Sequence, residues 1–96
     1  MAVTTEVLQY WVREYFSINE NLDGFKRRNN RRGLELISGD GSRGYVFAKP
    51  PQSSEDYVGR VKRTIEILSN SGRKLLKLFM DQEKDFIAFS WRAQNA

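Results

Sequence analysis

The sequence predicts an α+β fold in the order helix, hairpin, helix, hairpin (αββαββ), a four-stranded antiparallel sheet with both helices on one face. Three observations carry this. Residues 4–18 and 54–70 repeat apolar side chains at three- and four-residue spacing, the period of a helix face. Residues 34–49 and 73–93 each hold two short apolar runs around a Gly- or Asp-rich reversal, the signature of a β-hairpin. The length, 96 residues, suits a single domain spanning 1–96 with one core.

In the first helix Val7, Leu8, Trp11, Val12, Tyr15 and Ile18 share a face, and Gln9, Arg13 and Glu14 fall on the other side. Thr4 or Thr5 suits the N-cap, and Glu6 complements the helix dipole in the first turn. Asn19, Asn21, Asp23-Gly24 and Gly33 then punctuate residues 19–33, which predicts a loop pinned at one end by Leu22 and Phe25. The same residues also fit a basic hairpin of 25–28 against 31–34, turned at Asn29-Asn30, since Asn tolerates positive φ.

The next hairpin sets Leu34-Glu35-Leu36-Ile37 against Tyr45-Val46-Phe47-Ala48 around a Gly- and Asp-rich turn, and Pro50-Pro51 stops it. The second helix starts at Ser53 or Ser54, with Asp56 three residues after Ser53 in the manner of a capping box. Its apolar face is Tyr57, Val58, Val61, Ile65 and Leu68, with Arg60, Lys62, Arg63 and Glu66 turned away, and Asn70-Ser71-Gly72 ends it. Residues 73–80 and 86–93 make the last hairpin, joined by the polar turn 81–85.

Composition narrows the chemistry. The chain has no cysteine and no histidine, which rules out disulfides, thiolate chemistry and every catalytic arrangement built on imidazole. Asp40 precedes a strand ending near Lys49 in a nuclease-like spacing, but Phe47 stands where the second carboxylate is needed. Asp81, Glu83 and Asp85 crowd one turn and read as a polar tip. The glycine-rich 39–44 segment precedes a strand, so it lacks the helix N-terminus of a phosphate loop. No catalytic residue, no metal and no cofactor is therefore expected. No apolar stretch reaches the roughly 20 residues of a membrane span, and the first residues lack a signal-peptide pattern, so a cytoplasmic location is expected.

Charge supplies the functional candidate. The net charge of +4 is concentrated in two blocks. Residues 26–32 carry five cations and no acid, and residues 60–77 carry six cations and one acid. The first block reads Lys26-Arg27-Arg28-Asn29-Asn30-Arg31-Arg32. Like charges this dense repel, so such a run is rarely part of a core and suits a polyanion. Arg gives forked phosphate contacts, and Asn side chains reach phosphate or base edges. The expected function is a non-enzymatic binding module that contacts DNA or RNA backbone. Lys26, Arg27, Arg28, Arg31 and Arg32 would neutralise phosphates, Asn29 and Asn30 would add hydrogen bonds, and Arg60 and Arg63 would extend the track. The alternatives are a small adaptor or inhibitor on an acidic protein surface, and a structural homodimer. Nucleic acid is favoured if the two basic blocks share one face of the fold.

Overall fold

The computed structural model describes residues 3–30, 33–49, 56–81 and 83–94. Helix α1 (Thr5–Phe16) begins at Thr4, whose backbone is extended and whose side-chain hydroxyl accepts the Val7 N–H at 3.2 Å. It ends at Ser17 in the left-handed region, where the Ser17 N–H donates to the Arg13 carbonyl. Leu8, Val12 and Phe16 are its buried stripe, with Trp11 and Tyr15 half-buried beside them. Ile18, expected on this face, is exposed because the helix has already ended.

Five strands follow: β1 (Lys26–Asn30), β2 (Gly33–Ile37), β3 (Arg43–Ala48), β4 (Arg73–Asp81) and β5 (Phe86–Ala93). Helix α2 (Tyr57–Asn70) lies between β3 and β4. The sheet is antiparallel throughout, in the order β1-β2-β3-β5-β4. The α+β class stands, but the order is αβββαββ and the sheet has five strands, not four. The additional strand is the basic run itself. Its residues pair with β2 from Lys26↔Ile37 to Asn30↔Gly33, so 26–30 is neither a loop nor turned at Asn29-Asn30. Polar side chains have weak strand preference alone, and here the ladder offered by β2 prevails.

The helices also lie on opposite faces of the sheet rather than on one. Paired residues of an antiparallel sheet share a face, and neighbours along a strand alternate. Phe79 of β4 meets Tyr15 of α1 at 4.9 Å between ring centroids. Met80, one residue on and so on the other face, accepts from the Arg60 guanidinium of α2 at 3.5 Å. The α1 side is one aromatic-rich core of Leu8, Val12, Phe16, Leu22, Leu34, Leu36, Tyr45, Phe47 and Ala88. Phe47 is its hub, with Trp11, Tyr15, Phe16 and Phe86 all within 6.5 Å.

The α2 side is thinner. Leu68 is the one buried residue of α2 among those described. Beneath it Ile87 and Trp91 are buried. Trp91 pairs with Gly44, and a Cβ at Gly44 would sit 2.5 Å from the indole. Only glycine therefore lets the ring lie flat across β3. Arg73 stacks on that ring at 3.9 Å and pairs with Glu35 of β2 at 3.3 Å, tying the β4 edge to the far half of the sheet. The cap of α2 is Asp56, accepting the Gly59 N–H at 2.9 Å. The expected Ser53 or Ser54 cap and Pro50-Pro51 lie outside the described residues.

Candidate nucleic-acid interface

As a strand, the basic run cannot act as one patch. Alternation sends Lys26 and Arg28 to the α2 side, in register with Ile37 and Glu35. Arg27 and Asn29 go to the α1 side, in register with Leu36 and Leu34. Arg27 is engaged there, donating to the Val3 carbonyl just before α1. Lys26, Arg28 and Asn29 are exposed. Asn30 pairs with Gly33 through its backbone, and Arg31 and Arg32 lie outside the described residues.

The second block reaches the same side as Lys26 and Arg28. Arg60 and Arg63 belong to α2, and both are held by intramolecular contacts. Arg60 contacts Met80 on the outermost strand at the opposite edge from β1. Four inter-strand spacings separate those edges, about 19 Å. The helical part of the second block thus shares a side with Lys26 and Arg28, whereas Lys77 lies on the α1 side. Between the two edges the Glu35–Arg73 pair is self-neutralised. The α1 side mixes both signs, with Glu6, Arg13 and Glu14 exposed on α1 and Arg27 and Lys77 on the strands.

A stacking platform for bases is not built on the α2 side. Of the strand aromatics, Tyr45 and Phe47 are buried under α1, Trp91 is buried under Arg73, and Phe79 faces Tyr15. Phe89 alone of these is left half-open on the α2 side among the described residues.

The segment between α1 and β1 is fixed to the sheet by charges and rings. Glu20 pairs with Arg43 and accepts the Tyr45 hydroxyl at 2.9 Å, and Arg43 lies 5.0 Å over Phe25. Burial raises the Tyr45 pKa above the ordinary phenol value, so it remains a donor. At the β2–β3 turn Asp40 accepts the Ser42 hydroxyl at 2.7 Å, the Ser42 N–H at 3.0 Å and the Ser38 hydroxyl at 2.8 Å. Those bonds, the Ser42 hydroxyl first, hold its carboxyl at about 2. Asp40 is thus a turn-former, with all three bonds converging on its Oδ1. An open groove of about 430 Å³ runs along α1 past Glu6, Gln9, Tyr10, Arg13, Asn19, Glu20 and Asn21. It is away from β1 and mixes both charge signs.

Sequence reasoning missed Arg73, which links Glu35 and Trp91. Its signal was present in the second basic block, but nothing in a linear sequence names a partner 38 residues away. Comparison with known proteins finds no family model, no curated protein and no solved structure that matches the chain. Among the described residues no helix is long and apolar enough to cross a membrane.

Proposed function

We propose that the chain is a non-enzymatic binding module that contacts the backbone of DNA or RNA through the α2 side of its sheet. The observation that carries this reading is the position of Lys26 and Arg28: exposed, on an edge strand, and on the sheet side that also bears α2 with Arg60 and Arg63. The ion pairs that neutralise Arg43 and Arg73 have no counterpart at Lys26 or Arg28 among the described residues. Arg31 and Arg32 adjoin this strand in sequence and belong to the same reading. Arg27 has a different role, anchoring the start of α1. Backbone contact without base stacking predicts weak sequence preference and strong salt dependence.

Fluorescence anisotropy with labelled single-stranded and duplex oligonucleotides tests the reading. Lys26, Arg28, Arg31 and Arg32 replaced by serine should abolish binding while the circular dichroism spectrum is kept. Unchanged affinity in that variant would remove the proposal. An acidic protein surface is the second reading, supported by the open outer edge of β1, which can accept an extended segment. A lysate complex that survives nuclease and contains one protein partner would select it.

A further inference from the structure

The two edges of the sheet are treated in opposite ways. At β1 the exposed side chains are Lys26, Arg27, Arg28 and Asn29, a charged edge that repels another copy of itself. At β4 the free edge is flanked by apolar groups on both faces. Leu76 and Phe79 are exposed on β4, and α2, packed on β4, exposes Tyr57, Val58, Ile65 and Ile67. Among the described residues, six of the nine exposed large hydrophobics therefore lie on these two neighbouring elements, where a lone domain would be expected to place charge.

From this we infer that β4 is a self-association edge whose occupant is a second copy of this chain, paired antiparallel about a two-fold axis through Phe79. The sequence of the strand after its bulge is self-complementary in that register. The bulge lies between Leu75 and Lys77, which leaves Lys77–Leu78–Phe79–Met80–Asp81 as the regular stretch. Antiparallel pairing centred on Phe79 sets Lys77 against Asp81 of the second copy, Leu78 against its Met80, and Phe79 against its Phe79. Every pair keeps both side chains on one face, since Lys77, Phe79 and Asp81 are on the α1 side and Leu78 and Met80 on the α2 side. Opposite charges meet twice, two aromatics meet on the axis, and Leu78 meets Met80 on the other face. A two-fold interface requires such a self-complementary surface. Pairing by β1 would instead bring cations onto cations. The inference is independent of the nucleic-acid reading, because it uses none of the residues in the first basic block.

Sedimentation of the full chain from low micromolar to several hundred micromolar tests it, with circular dichroism verifying each variant. The wild type should dimerise reversibly. Lys77→Asp and Asp81→Lys should each weaken the dimer about tenfold, because both cross-strand charge pairs become repulsive together. Mixing the two single variants should restore association, since each copy then offers the charge the other lacks. Asp81 also accepts the Lys84 N–H at 3.1 Å, so a second, milder variant is needed. Phe79→Cys supplies it. The chain has no cysteine of its own, and opposed strand residues lie within disulfide range, so mild oxidation should give a covalent dimer. Asn29→Cys on β1 should not. A folded chain that stays monomeric at every concentration would overturn the inference. So would association that ignores both charge reversals, single variants that fail to rescue one another, or equal crosslinking at positions 79 and 29.

Discussion

Gly44 and Trp91 act as one packing unit. The indole occupies the space a side chain at 44 would need, and its ring nitrogen is buried without a hydrogen-bond partner. Arg73 stacked on the ring accounts for part of its stability there. A methyl group at 44 would force the ring outward, so Gly44→Ala should cost about 1–3 kcal/mol, read from urea unfolding. Asp40 gives a pH-dependent case. Its carboxyl titrates at about 2 when folded, below its ordinary value of 3.8. A depressed folded pKa means the stabilisation is complete above the unfolded value and is lost as pH falls through the folded one. Asp40→Asn should therefore lower the melting temperature at neutral pH. The difference from wild type should shrink below about pH 4 and vanish near pH 2. An undiminished difference at pH 2 would show that the turn depends on shape and not on the carboxylate's charge.

At the scale of elements, periodicity was a good guide to helices and apolar hairpins and a poor one to β1. Strands β2 and β3 announce themselves through Leu34, Leu36, Tyr45 and Phe47, which face α1 in alternation. Strand β1 has no apolar alternation, and its conformation comes from pairing with β2. Helix α2 shows the converse limit. Its stripe reads as core, yet Val58 and Ile65 remain 56% and 48% exposed, and Leu68 supplies the buried contact. A linear pattern identifies an apolar face without saying whether the same chain covers it, or which side of the sheet the helix will take. Leu68→Ala should cost about 2–4 kcal/mol in urea unfolding, as for a buried leucine. Ile65→Ser should cost about 1 kcal/mol in the monomer, less than the leucine change, because about half of that side chain stays in water. Equal costs would mean that the helix buries its whole stripe.

Across the whole molecule, the sheet separates two surfaces. The α1 side holds the larger core and takes Arg27, and the α2 side presents Lys26, Arg28 and the cations of α2. The identity of the basic residues was legible in the sequence. Their division by strand alternation was not, nor was the capture of Arg27 by Val3, since both depend on a pairing that composition does not encode. This division makes the central claim sharper than a count of positive charges. The deciding measurement is oligonucleotide affinity as a function of salt for three proteins: wild type, Lys26→Ser/Arg28→Ser, and Arg27→Ser. On duplex DNA the wild type should give a log–log slope near about −4, the value for four or five neutralised phosphates. The double variant should bind more weakly with a slope shallower by about two units, and Arg27→Ser should leave the slope unchanged. A flat wild-type salt response, or equal losses from the two sides of the strand, would contradict the account.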